Sequence, residues 1–174
     1  KMAQGMRGEM LLRGPQRMAG YWPTPGQGLD ASGYIHTNDV VKVDDRGYFY
    51  IVDRMKDMII VSGFKVYSRE IDDILFEHKA IEMAATVGIP DPEREGSERV
   101  VVYVQPKMQY KDRIDEKQII AYLKDKVAKY AVPKHVFFVD EIPLTEAQKI
   151  DKKLLKQTAP DDCGTMRIEK AAAS

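Results

Sequence analysis

The sequence predicts an α+β fold, with a mixed domain of about 100 residues over 55–156 and a β-rich stretch over 1–54 in front of it. Three observations predict it. Short apolar runs with strand character recur along the chain, two amphipathic helical patterns fall among the later ones, and the two kinds do not alternate with the rhythm of a parallel α/β sheet.

The elements follow in order. Gly5 to Pro15 (GMRGEMLLRGP) predicts one strand bounded by glycines. Residues 20–33 (GYWPTPGQGLDASG) are dense in Gly and Pro and predict a loop, in which Tyr21 and Trp22 need something to pack against. Val40 to Val43 and Tyr48 to Val52 flank Asp44-Asp45-Arg46-Gly47, a hairpin signal in which Gly47 supplies the positive φ. Charges at 53–57 then interrupt two apolar runs. The chain is expected to leave one strand, turn on a polar pivot and enter a second strand, Met58 to Val61, that ends at Gly63. An ordinary β-turn between paired strands accounts for the same residues.

Ser68 is placed to cap a helix carrying Ile71, Ile74 and Leu75 at helical spacing. Residues 81–89 (IEMAATVGI) predict a short strand, 90–97 a loop, and Val100 to Val104 a buried strand stopped by Pro106. Asp115 with Gln118 predicts a capping box for a helix whose Ile119, Ile120, Leu123 and Val127 form the apolar face. Pro133 ends that helical unit and His135 to Val139 predicts another strand. Pro143 breaks the chain, and Asp151 is placed to cap a last helical turn. Residues 157–174, Ala-rich at their end, are expected to form a mobile tail.

With 174 residues the chain can bury a real core. Lys plus Arg equals Asp plus Glu at 27 each, so no net field marks a nucleic-acid or membrane-surface binder. No apolar run approaches the roughly 20 residues that cross a bilayer, and a cytoplasmic location is expected. A single cysteine, Cys163, excludes an internal disulfide, makes no zinc site with three scattered histidines, and is expected to be an inert tail thiol.

Five residues could carry chemistry, each with a plainer account beside it. Asp39, in a polar turn before a strand, could accept hydrogen bonds from vicinal ribose hydroxyls or bond its own backbone. Arg54 and Lys56 could hold a ligand or serve as surface charges. Gly63, without a Cβ, could admit a ligand or satisfy a turn. Lys149 lies in a segment with few apolar anchors, where its ammonium could be delivered to a carboxylate or phosphate oxygen or could remain one solvated charge of a basic run.

Three motifs occur in order. Tyr34-Ile35-His36-Thr37-Asn38-Asp39 is similar to an aromatic-x-x-Thr-Gly-Asp element. Asp53 to Ile71 (DRMKDMIIVSGFKVYSREI) is similar to a hinge motif, and Pro143 to Leu154 (PLTEAQKIDKKL) to a Pro-x-Thr-x-x-Gly-Lys-x-x-Arg element. Gly8 to Gly14 with Gly20-Tyr21-Trp22, and Tyr130 to Lys134 (YAVPK), add weaker likenesses. On these residues, over about 5–156, the chain resembles the adenylate-forming (AMP-binding) ligase superfamily, and within it the fatty acyl-CoA synthetases.

That resemblance implies a small C-terminal lid that rotates on a hinge between two half-reactions, with 1–54 as the β-rich end of a large N-terminal domain. It implies that Asp39 holds the AMP ribose with help from Arg54, that Lys56 is the hinge residue, and that Lys149 is the adenylation lysine. Gly63 would line the pantetheine channel and Lys65 would meet phosphates of the CoA nucleotide. The implied reaction joins a fatty acid or other carboxylic acid to CoA through an acyl-adenylate, using ATP; Mg²⁺ is expected with ATP, its ligands outside this chain. No Ser/Thr/Gly-rich phosphate loop with its lysine is found, so this stretch is expected to be inactive without the large N-terminal domain. A catalytically incomplete module that binds CoA or a carrier protein, an acyl-AMP ligase and an aryl-CoA ligase are the alternatives. Asn38 and Gln148 stand where the patterns have Gly, and Gln148 is expected to remove positive-φ freedom from the loop that delivers Lys149.

Overall fold

The computed structural model describes residues 6–159 of a chain that divides into two compact units, Lys1–Lys56 and Asp57–Ser174. Gly5, Cys163 and the expected tail from residue 160 onward lie outside the described residues.

The first unit is all β. It contains β1 (Arg7–Leu12), the short antiparallel pair β2 (Gly20–Tyr21) and β3 (Thr24–Pro25), β4 (Ile35–Val43) and β5 (Phe49–Arg54). Strands β1, β4 and β5 form an antiparallel sheet in that order, closed between β4 and β5 by the turn whose Gly47 has φ 86°. Among its described residues, only Val40, Val41, Val52 and Asp53 are buried. Tyr21 packs its ring against Gly28, where an added Cβ would come within 2.6 Å of a ring carbon. Trp22, by contrast, is 95% exposed.

The second unit opens with β6 (Ile59–Val61) and β7 (Phe64–Val66), an antiparallel hairpin turned by Ser62 and Gly63. Both turn residues have positive φ, 49° and 83°, the arrangement that matches the twist of a two-residue hairpin. Gly63 therefore sits inside a hairpin rather than at the end of a lone strand, and the second arm was missing from the expectation. Because β5 and β6 belong to different sheets, residues 55–58 are not a turn between paired strands.

After the hairpin come α1 (Ser68–Phe76), β8 (Ile81–Pro90), β9 (Glu98–Pro106), α2 (Glu116–Lys124), β10 (His135–Phe138) and α3 (Lys152–Thr158). The sheet order is β10-β9-β8, with β8 antiparallel and β10 parallel to β9. One β-helix-β crossover, β9-α2-β10, is therefore present. A parallel pair requires it, because parallel neighbours cannot be joined by a tight turn.

The alternation along β9 explains the layering. Val100, Val102 and Val104 face a core with Ile71 and Leu75 of α1, Ile119 and Leu123 of α2, and Ile59 and Val66 of the hairpin. Val101 and Tyr103 face a second core with Val87, Ile142 and Leu155 of α3. Each buried branched side chain contributes about 1.5–3 kcal/mol, so these two faces hold the unit together.

Helix α2 carries the expected capping box: Gln118 N donates to Asp115 Oδ1 at 2.8 Å and Asp115 N to Gln118 Oε1 at 3.1 Å. Ser68 does not cap α1. Tyr67 holds that position and its side chain makes no capping hydrogen bond to the helix, and Ser68 is a fully buried first-turn residue. Among the described residues no helix is long and apolar enough to cross a membrane.

Candidate functional site

In the first unit, the segment that carries Asp39 is bent at Asn38, which has φ 58°. Asparagine visits this left-handed region readily because its short amide bonds locally, so it can stand where the motif has glycine. Glu9 of β1 holds the bend: its Oε1 accepts from Asn38 N at 3.2 Å and its Oε2 lies 2.9 Å from His36 Nδ1. Thr37 Oγ1 donates to Met10 O at 2.8 Å and accepts from Asp39 N at 3.1 Å. Asp39 therefore lies within β4, not in a turn ahead of a strand.

Asp39 and Arg54 are cross-strand partners, with Arg54 Nε 3.6 Å from Asp39 Oδ1. Such an exposed pair contributes little stability, so its effect is to aim a half-buried carboxylate beside a guanidinium. A carboxylate that meets a guanidinium through one oxygen in this way can accept from vicinal hydroxyls. His36 is held above the usual histidine range, chiefly by its hydrogen bond to Glu9, against a smaller opposing effect of burial and with the charges of Glu9 and Asp30 adding to it.

In the second unit, the hairpin is stitched to the loop before β9. Ile60 N donates to Glu98 Oε2 at 2.8 Å, Ser62 N to Ser97 Oγ at 2.9 Å, and Arg94 Nη1 to Ser62 Oγ at 2.7 Å. Phe64 stacks on Tyr130, their ring centroids 4.6 Å apart and 14° from parallel. Beside this stack lies a groove of about 710 Å³ lined by Ser62, Phe64, Arg94, Lys129, Tyr130 and Lys134, among others. Gly63 and Lys65 do not line it. A Cβ at Gly63 would meet nothing within 4 Å, so positive φ rather than crowding requires the glycine. Lys65 is exposed and, by strand alternation, faces away from Phe64.

Lys149 is exposed on a closed hairpin. Thr145 N donates to Lys149 O at 2.7 Å, Gln148 N to Thr145 O at 2.9 Å and Lys149 N to Thr145 Oγ1 at 3.3 Å, while Leu144 and Ile150 form a bridge. Gln148 takes φ 58°, the left-handed residue that follows the turn in such loops. The conformation expected to be lost with glycine is therefore present, carried by a residue that adopts it at a cost of about 1–2 kcal/mol. The loop is anchored by Ile142, 1% exposed in the second core, and by Ile150, which packs against that core. Below the loop, Asp151 Oδ1 accepts from Leu154 N at 2.9 Å and caps α3 as expected.

Arg94, Lys129 and Tyr130 were not singled out from sequence as site residues. They come from two separate loops, and only the Tyr130–Lys134 phrase gave a local signal. Lys56 is exposed and is the last residue of the first unit. Among the described residues no three His, Cys, Asp or Glu side chains group to hold a metal ion.

Residues 70–149 match the family model of the AMP-binding enzyme C-terminal domain. A long-chain-fatty-acid–CoA ligase from Escherichia coli O157:H7 is 36% identical over 161 residues, 91% of this chain and 28% of that protein. A feruloyl-CoA synthase from Amycolatopsis sp is 39% identical over 151 residues, 85% of this chain and 30% of that one. Among solved structures, ATP-bound MatB from Rhodopseudomonas palustris superposes with a TM-score of 0.82 at 31% identity, over 92% of this chain and 32% of MatB. The chain thus spans under a third of the length of each of these relatives. Over residues 70–149 the chain thus carries the C-terminal domain of the adenylate-forming (AMP-binding) enzymes.

Proposed function

We propose that this chain is the C-terminal part of an ATP-dependent acid–CoA ligase, with 55–156 as its mobile lid and 1–54 as the end of the large domain. The acid is proposed to be a fatty acid, in line with the long-chain ligase relative, with an aryl acid as the alternative suggested by the feruloyl-CoA synthase. ATP supplies the adenylyl group and CoA the thiol.

The observation that carries this reading is the cross-strand pair of Asp39 and Arg54, two residues from separate motifs that meet at 3.6 Å. Asp39 would accept the ribose hydroxyls of AMP, and Arg54 would keep that carboxylate aimed. Lys149 would place an ammonium between the acid's carboxylate and the α-phosphate, where negative charge gathers during transfer. Lys56 would be the pivot, which fits its place at the end of the first unit. The Ser62–Gly63 turn would border the pantetheine channel, and the groove beside Phe64 and Tyr130, with Arg94, Lys129 and Lys134, would take the anionic, aromatic CoA nucleotide. Lys65, outside that groove, would reach the phosphates only from the hairpin's other face.

Two half-reaction assays on the full-length protein test this. Lys149→Ala should lower pyrophosphate exchange by about 10²–10³-fold while thioester formation from supplied acyl-adenylate persists. Wild-type rates in both would remove the role and favour a binding module, for which Lys149 is only a surface charge. In the same assays Lys56→Pro, which locks φ, should slow one half-reaction far more than the other. Equal slowing would discard the pivot.

A further inference from the structure

One lysine that the proposed mechanism leaves unused, Lys152, is largely withdrawn from solvent, its side chain 17% exposed. Lys152 Nζ donates to Asp72 Oδ2 at 2.7 Å and to Ser68 Oγ at 2.8 Å, both on α1. The other carboxylate oxygen of Asp72 accepts from Thr86 N of β8 at 2.6 Å. The side chains of Lys152 and Asp72 are 17% and 9% exposed, and Ser68 and Thr86 are fully buried. Burial pushes the Asp72 carboxyl up and the Lys152 ammonium pulls it back. Such a pair adds little net stability over two apolar side chains of similar size, but it tolerates few geometries.

Its place in the chain gives that geometry a use. Lys152 is the first residue of α3, next to the cap Asp151, whose N–H donates to Pro143 O at 2.9 Å across the base of the Lys149 hairpin. Lys152 is three positions beyond Lys149, so fixing one end confines the other to within about 10 Å. On the far side of the pair, α1 begins just after β7, the arm that follows Gly63. One ammonium therefore ties the hairpin bearing Lys149 to the helix behind the Ser62–Gly63 turn.

We propose that Lys152 is a positioning residue for Lys149, locking the adenylation hairpin onto α1 through Asp72 and Ser68. This rests on the reading of Lys149 as the adenylation lysine. Misplacing a reacting group by about 1 Å can cost on the order of 10²-fold in rate. In the full-length protein, Lys152→Met should lower kcat for pyrophosphate exchange by that order and leave KM for acid and ATP nearly unchanged. Thioester formation from supplied acyl-adenylate should stay near wild type, and Lys152→Arg should recover most of the exchange rate. If Lys152→Met does not fold, Lys152→Met with Asp72→Leu replaces the pair by two apolar groups and is judged by the same criteria.

Equal losses in both half-reactions, or none in either, overturn the proposal when Lys149→Ala in the same assay has lost pyrophosphate exchange. A Lys149→Ala protein at the wild-type exchange rate instead overturns the reading on which the proposal stands.

Discussion

The sheet β10-β9-β8 has apolar side chains covering both of its faces, whereas the sheet β1-β4-β5 and the turn residue before β5 leave Tyr48, Phe49, Tyr50 and Ile51 between 43% and 63% exposed. Leu11 and Leu12 of β1 are more than 40% exposed as well. Both sheets use similar apolar strands, so the difference lies in what packs on them. In the second unit three helices and a hairpin arrive from elsewhere in the chain. In the first, the described residues bring nothing, and polar ties such as Glu9 to His36 and Asn38 hold the strands in register. The second unit thus closes its own core, while the first carries apolar area that contributes no burial energy by itself.

The largest expected effect tests this contrast directly. Leu123→Ala, in the first core of the second unit, should cost about 2–5 kcal/mol in urea unfolding, and Phe49→Ala within about 0.5 kcal/mol. A comparable cost at Phe49 would show that its face is covered in solution.

A smaller effect separates the two left-handed residues, each with φ 58°. Gln148→Gly should stabilise by roughly 0.5–1 kcal/mol, because glycine removes strain that outweighs its entropy cost. Asn38→Gly should be near neutral, since asparagine already tolerates that conformation. Equal changes in unfolding midpoint at both sites would remove the distinction between the side chains.

The smallest effect is the pH dependence of the Glu9–His36 tie. His36 has a folded pKa raised above its unfolded value of about 6.5. Its contribution to stability is therefore fully present below that value and is lost as pH rises through the folded one. An NMR titration should place the His36 midpoint above the usual value, and Glu9→Gln should bring it back. An unchanged midpoint would show that Glu9 is not the cause.

Much of the second unit was legible because its signals are local. The capping box of α2, the cap of α3 and the alternation of β9 each involve residues within a few positions of one another. Ser68 misled for the same reason. Its spacing resembles a cap, but its hydroxyl accepts from Lys152, 84 positions away, a partner no local pattern reveals. The arm β7 was missed because three residues, one of them the exposed Phe64, give too little alternation to read. Asp39, Arg54 and Lys149 were legible through motifs, yet their settings were not: the Asn38 bend depends on Glu9 of another strand, and the left-handed Gln148 on the hydrogen bonds that close its hairpin. Arg94 and Tyr130 reach one groove from separate loops, and neither loop announces the other.

What the sequence determined by itself was the kind and order of the elements and the family motifs, because period, capping and turn chemistry act between neighbours along the chain. Only the tertiary structure decided that Asp39 faces Arg54, that Phe64 stacks on Tyr130 and that Lys152 pairs with the buried Asp72. Those pairings depend on strand register and on helices packing across a sheet, which bring together charges and rings that are remote in sequence.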